Sequence, residues 1–493
     1  MNNQSISKTR QGEIPKIPAK VVLSVVASGI MSFCGVVVET AMNITFPDLM
    51  KEFSVSTSTV QWITSGYLLM LAIIMPTSSF LNRKFTLRQL FITAASTFIA
   101  GTLLCAFTPG FSLMLAGRLL QGVGTGIALP LMYNIVLTQV HPARRGTMMG
   151  VASLIPAAAP AVGPSLGGLI VKYFGWRMIF ITLTPVLILA LILGLICIHN
   201  NPKEEKSAGS FDFFGWILLA AGFTCLVMML GNLGSSSFLS AGVLGLLICF
   251  VLAMVLFILR SRQQMRRESA GKSVSPVISL EVFHSRRFDC ALLAFVLMQF
   301  NCLGIGFILP NFSQIALGKD ALVAGCILLP GCAFGAVFAP ISGRIYDRFG
   351  ARLPLLTGAF CMFASVLLFN LLFHGHPTVL IMMFTYIVFA FGQTNSVGNG
   401  MSNGMSALRP ELSADGNAVF NTMQQLFGAL GTSVVSIIVA RHQAAQGLSR
   451  GIQTGSRSAF LFMLILAVVL VIAMFGALPN AASRVTKAAG QEA

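Results

Sequence analysis

Charge is scarce in this chain: only 10% of its 493 residues are Asp, Glu, Lys or Arg, against roughly 25% in an average soluble domain. A soluble fold could not solvate so apolar a surface, so the bulk solvent must be lipid. Acids are scarcer than bases, 15 against 32, which leaves a formal charge of +17. In a soluble chain that excess would suggest nucleic acid; here it reads as base collected in cytoplasmic loops, with no nucleic-acid partner. The ten cysteines form no C-x-x-C pair and no Cys/His metal spacing, which argues against a structural disulfide or a metal site. Cys34, Cys105, Cys197, Cys249 and Cys332 lie in or beside apolar runs and read as small packing residues. The phosphate-cradling pattern G-x-x-x-x-G-K-[ST] is missing, so ATP drive is unsupported. No His/Asp/Glu constellation near a membrane surface suggests an enzyme.

What is present is apolar length. The chain is 55% hydrophobic, with a mean hydropathy of +0.83. Lipid cannot satisfy backbone polar groups, so runs of about 20 apolar residues without alternation mean helices. They fall at 21–46, 58–80, 89–108, 111–138, 147–170, 178–198, 213–233, 238–260, 288–310, 321–343, 354–373, 378–406, 417–440 and 458–478. The expected fold is an all-α polytopic membrane protein with fourteen transmembrane helices, two six-helix bundles plus two additional helices. Its parts are a cytoplasmic tail 1–20, a bundle 21–199, a linker with two extra helices 200–260, a basic cytoplasmic linker 261–287, a bundle 288–478 and a tail 479–493. The first apolar run outlasts a signal-peptide core and should remain as the first span.

Charge orients the set. With both termini cytoplasmic, roughly 24 Lys/Arg lie inside and about 7 outside, as the positive-inside bias requires. Arg441, Arg450 and Arg457 oppose it, in the expected last outer loop.

A repeat is visible at two cytoplasmic turns. After the tenth helix stands Gly343-Arg344-Ile345-Tyr346-Asp347-Arg348-Phe349-Gly350-Ala351-Arg352, a G-x-x-x-D-R-x-G-x-R pattern. Its glycines permit a tight turn, and Asp347 can pair with an arginine or cap a helix. Such a turn can latch neighbouring helices. The first-half counterpart, after the second helix, is degenerate: Asn82 stands at the acidic position, beside Arg83.

Four further segments carry a family signature. Gly117-Arg118-Leu119-Leu120-Gln121-Gly122-Val123-Gly124 lies in the fourth helix, and Pro160-Ala161-Val162-Gly163-Pro164-Ser165-Leu166-Gly167-Gly168 in the fifth. The first helix ends Glu39-Thr40-Ala41-Met42-Asn43 with Pro47 beyond, and the thirteenth holds Asn421-Thr422-Met423-Gln424-Gln425. Over nearly its whole length the chain resembles the major facilitator superfamily, in particular its 14-helix drug:proton antiporter branch (EmrB/QacA-like). Glu39, four residues before Asn43, is the variant associated with lincosamide-resistance-like members. The resemblance implies a major facilitator fold and a cell-membrane monomer. It implies export of amphipathic small molecules driven by the proton gradient, with no cofactor. It gives Arg118 a part in proton coupling, and Pro160, Gly163, Pro164, Gly167 and Gly168 the role of antiporter motif.

The residues themselves leave alternatives. Arg118 either joins proton coupling or is a structural arginine bonded to carbonyls. Prolines 156, 160 and 164 recur every four residues among small ones; each removes a backbone donor, and close packing follows. Glu39 is a carboxylate placed well inside the first span, either a proton carrier or a side chain snorkelling outward. A carboxylate there is costly unless it holds a proton or faces a cation, so proton and cationic substrate would compete for it. Asn395, Asn399 and Asn403 form a polar stripe that either bonds helices or lines a cavity. The candidate cavity set is Asn43, Gln121, Gln299, Asn395, Asn399 and Gln424, with Phe33, Phe300, Phe307 and Met298 as adaptable apolar walls. The expected function is a proton-coupled exporter. Its alternatives are a dedicated exporter of a native metabolite, lipid or peptide, and a sensor without flux.

Overall fold

The computed structural model describes residues 17–199, 210–233, 240–269, 274–275, 277–374 and 377–478. Most of both expected tails, and residues 200–209 of the first linker, lie outside the described residues.

The first half contains α1 (Ala19–Phe53), α2 (Thr57–Val60), α3 (Trp62–Ile74), α4 (Ser78–Lys84), α5 (Leu87–Ala106), α6 (Phe111–Gln139), α7 (Pro142–Phe174) and α8 (Arg177–Cys197). The extra pair is α9 (Phe213–Leu233) and α10 (Ala241–Ser269). The second half contains α11 (Arg286–Ile315), α12 (Ala321–Cys326), α13 (Leu329–Phe349), α14 (Arg352–Leu372), α15 (Val379–Met405), α16 (Ser413–Gln446) and α17 (Leu448–Ala477). We name the end where α1 starts the inner end and the opposite one the outer end, after the charge bias.

Among the described residues, thirteen spans are long and apolar enough to cross a membrane. The fourteenth expected span, α7, is a continuous 33-residue helix. Two expected helices are broken. The second is divided at Gln61 and again by a 3-10 turn at Met75–Thr77 containing Pro76. The tenth is divided between Cys326 and Leu329, ahead of Pro330. Pro76 and Pro330 lack the donor that would continue the ladder at the other two breaks.

The repeat is legible in the packing. Helix α1 lies on α6, α7 and α8, and α5 on α6 and α8; correspondingly α11 lies on α15, α16 and α17, and α14 on α15 and α17. The halves meet along two matching seams, α7 with α12 and α13, and α16 with α2 and α3. The match extends to single residues. An added Cβ on Gly101 would lie 2.5 Å from the Gly117 carbonyl oxygen, and one on Gly392 would lie 2.7 Å from that of Gly358. Thus α5 crosses α6, and α14 crosses α15, at paired glycines.

The extra pair is clamped at its inner end. Strand β1 (Ser210–Phe211) pairs in parallel with β2 (Val274–Ser275). Asp212 accepts from the Gly215 N–H, capping α9, and meets Arg260 of α10 at 3.0 Å. Trp216 donates to the Ile73 carbonyl at 2.8 Å, fixing α9 to α3.

The expected outer loop 441–457 is absent: α16 and α17 run on, separated by Gly447 at φ +81°. A Cβ on Gly455 would lie 2.8 Å from Val439 Cα, so only glycine lets the hairpin close so tightly. Two of the three outer arginines that defy the charge bias close helix ends. Arg441 donates twice to the Leu233 carbonyl at the end of α9, at 2.9 and 2.6 Å. Arg457 donates to the Phe373 carbonyl and, at 2.9 Å, to that of His374, beyond α14. A cation is favourable at these carbonyl-rich termini. Arg457→Ala is expected to cost about 1.5–3 kcal/mol, seen as a lower thermal midpoint of the purified protein.

Candidate functional site

The first half encloses an arginine. Gly117 and Gly124 of α6 leave no room for a side chain against α5, and Gly122 none against α3. These close approaches shut Arg118 completely away from solvent. Its Nε donates to the Ile63 carbonyl at 3.0 Å, and Nη1 to Gln121 Oε1 at 2.6 Å. Gln121 in turn donates to Thr102 at 2.9 Å. The guanidinium carbon stands 4.3 Å above the Tyr67 ring, whose hydroxyl donates to Thr125. One donor, Nη2, has no protein partner among the described residues.

Glu39 of α1 lies in electrostatic reach of this arginine. It is buried, and it interacts electrostatically with Arg118 without an ion pair among the described residues. Across the interface Cys302 of α11 lies within the same electrostatic reach. Gln393 donates to the Cys302 sulfur at 3.0 Å, and Cys332 sits 3.4 Å from the Tyr386 hydroxyl. Gln393 follows Gly392 as Arg118 follows Gly117, so the repeat sets a neutral amide opposite the charged site.

The outer ends are joined by bonds that the prolines and glycines make possible. Pro47 cannot donate to the Asn43 carbonyl four residues earlier. That carbonyl accepts instead from Asn311 of the second half, at 3.3 Å. Its neighbour Ile44 accepts from Gln314 at 3.0 Å. Within the first half α7 packs closely on α1: a Cβ on Gly163 would strike Thr40, and one on Gly167 would lie 2.7 Å from Ala41 Cβ. A Cβ on Gly168 would strike the Ala321 carbonyl oxygen, and one on Gly325 that of Pro164. The opposite seam is polar. Thr57 donates to Gln443 at 2.6 Å, and Ser433 bonds Ser65 at 3.0 Å and Gln61 at 3.2 Å.

Lys172 of α7 meets Asp320, the N-cap of α12, at 2.8 Å. The hydrogen bond from Lys172, with that from the Val323 N–H, holds the Asp320 carboxyl below its ordinary range. A depressed acid stabilises the joined form fully above its ordinary pKa and loses that contribution as pH falls through the lower, joined-state value. Asp320→Asn should keep part of the cap but drop the ion pair. We expect faster outer opening and a weaker dependence of opening on external acid below pH about 4, read from the distance between labels on α7 and α12.

Several expected site residues stand elsewhere than expected. Gln121 lies on no cavity; it is sealed between Arg118 and Thr102. Asn395 and Asn399 are buried and bind Ser342 of α13, at 2.8 and 2.9 Å, so the stripe bonds helices. Asn403 does likewise with the Ala477 carbonyl. Asn43 is buried, accepts from Thr64 at 3.2 Å, and marks the seam between the halves. Gln299 and Gln424 remain half-buried. In the latch, Asp347, Arg348 and Arg352 are exposed, and Gly343 and Gly350 half-buried. Asp347 neither pairs with an arginine among the described residues nor caps α14, whose N-cap is Ala351. Gly350 makes the turn at φ +78°. Asn82 is half-buried, and the side chains of Arg83 and Pro156 lie outside those described. Sequence reasoning missed Tyr67, Lys172 and Asp320. Tyr67 carried a signal, being one of only five tyrosines and set within a span.

Comparison with known proteins agrees with this architecture. A family model described as Major Facilitator Superfamily matches residues 28–231 and 208–432. The chain is 35% identical over 456 residues to lincomycin resistance protein LmrB of Listeria monocytogenes, covering 90% of this chain and 94% of that protein. It is 27% identical to the tetracenomycin C resistance and export protein of Streptomyces glaucescens, over 81% of this chain and 72% of that one. Among solved structures, a bacterial homolog of the human lysosomal transporter Spinster, inward-facing and unoccupied, superposes with a TM-score of 0.64. It does so at 13% identity, over 94% of this chain and 98% of that one.

Proposed function

The chain belongs to the major facilitator superfamily, and from that premise we propose that it exports amphipathic drugs, lincosamides among them, in exchange for protons. The reading places it in the cell membrane as a monomer with both termini in the cytoplasm. The observation that carries it is Glu39, a buried carboxyl in electrostatic reach of a fully enclosed Arg118 that has an unused donor among the described residues. When Glu39 is ionised, Arg118 or a cationic substrate offsets its charge; when it takes a proton, that attraction ends and the substrate is released. Each net charge moved through 100 mV supplies about 2.3 kcal/mol, enough for a roughly fifty-fold gradient.

The joined outer seams support alternating access. The Gly168 and Gly325 contacts between α7 and α12 give a tight seal that parts as a unit, and the exposed Asp347 turn is free to engage when the halves rock the other way. The lincomycin resistance and tetracenomycin export relatives support a drug substrate. The experiment is accumulation in cells: those producing this chain should hold less lincosamide or lipophilic cation than controls, and a protonophore should remove the difference. Equal accumulation in both cell types would reject the reading.

A further inference from the structure

We propose that the inner end of α10 carries a binding site for the headgroup of an anionic phospholipid. A cavity of about 640 Å³ lies between α10 and the 3-10 turn Leu280–His284 that leads into α11. Ile258, Arg262, Met265 and Arg266 form its α10 wall, and Glu281 and His284 stand opposite. The acid is already engaged, since Glu281 meets Arg409 at 3.2 Å. Arg262 and Arg266 make no ion pair among the described residues. They stand four residues apart, so both project from one face of the helix.

A second observation gives the ligand its tails. Ile248, Leu252, Val255 and Leu259 are all exposed along α10 and follow one another at three- and four-residue spacing. Arg262 and Arg266 continue that same stripe by the next two steps. The face that meets hydrocarbon therefore ends in two cations with no ion pair among the described residues, at the depth where headgroups lie. Ile258, both exposed and part of the cavity wall, joins the two surfaces. A phosphodiester fits between the guanidiniums, which bind it through paired N–H donors, while its acyl chains lie along the apolar stripe. A free phosphate would use the same cations and leave that stripe without a role.

The site also has a position of consequence. The turn that forms its far wall packs on α11 and, through Glu281 and Arg409, holds the loop before α16. Lipid bound there bridges the extra helix pair to the second half.

The test uses the full chain, purified and exchanged into mixed micelles of phosphatidylglycerol and phosphatidylcholine, with retained lipid measured by native mass spectrometry. Two arginines, each worth about five-fold at a membrane surface, predict roughly twenty-five-fold preference for phosphatidylglycerol. Arg262→Gln with Arg266→Gln should abolish the preference, and Arg266→Glu alone should do so too. Arg88→Gln with Arg344→Gln removes equal charge at the same end and should leave it intact. Millimolar inorganic phosphate should not displace the lipid. Equal retention of both lipids by the unaltered chain, preference surviving in both site variants, equal loss in the control pair, or displacement by phosphate would each overturn the proposal.

Discussion

Gly168→Val is expected to hold the outer mouth open and to lower export at least ten-fold while the protein still folds. The backbone of α7 at Gly168 meets the carbonyl of Ala321, and the Pro164 carbonyl meets Gly325 in return. No side chain intervenes, so a branched one has nowhere to rotate. Overpacking of this kind costs about 1–3 kcal/mol, and the cost falls only on the joined state, because parting the halves relieves it. An equilibrium moves by that differential cost. Gly168→Ala should give a smaller shift in the same direction. A cysteine placed at Gln314, which bonds the Ile44 carbonyl across the seam, reports the change. Its labelling by a membrane-impermeant maleimide, over the background of the native thiols, should rise in Gly168→Val. Unchanged labelling with normal export would mean that this seam does not gate the path.

Glu39→Gln is expected to end uphill export while leaving substrate exchange down its own gradient. Glutamine keeps the shape and the burial, so the packing of α1 on α6 and α7 is preserved. What it loses is the ability to alternate between a charged and a neutral form. Without that alternation no proton accompanies the return step, and the roughly fifty-fold gradient available from 100 mV disappears. Arg118 keeps its bonds to Ile63 and Gln121 and its place over the Tyr67 ring, so the first half should unfold at an unchanged temperature. Glu39→Asp, with the charge retained on a shorter arm, should preserve part of the gradient. Accumulation against a gradient at the original level in Glu39→Gln would remove this residue from coupling.

The helices were legible because lipid leaves the backbone one economical solution, and the apolar runs announce it. The second half's G-x-x-x-D-R turn showed the repeat, and the small residues of the fifth helix showed where backbones would touch. Other features depend on contacts that no local pattern records. Gln121 looked like a polar residue awaiting a ligand, yet Arg118 three residues before it on the helix uses its carbonyl. Asn395 and Asn399 could have faced water or a neighbour, and only Ser342, more than fifty residues away in sequence, decides between them. Arg441 and Arg457 defied the charge bias because their partners are carbonyls at the ends of α9 and α14, far off in the chain. Lys172 and Asp320 are unremarkable until the two halves are brought together.

The measurement that bears most directly on proton exchange uses inside-out vesicles with an acid interior, read by a pH-sensitive dye. Lincosamides and lipophilic cations are added in turn to vesicles bearing the unaltered chain or Glu39→Gln. The account predicts that a transported compound collapses the gradient with the unaltered chain and leaves it standing with Glu39→Gln. Collapse of equal size with both proteins would contradict the assignment of the proton to Glu39, and substrate uptake with no proton movement in either would contradict exchange itself.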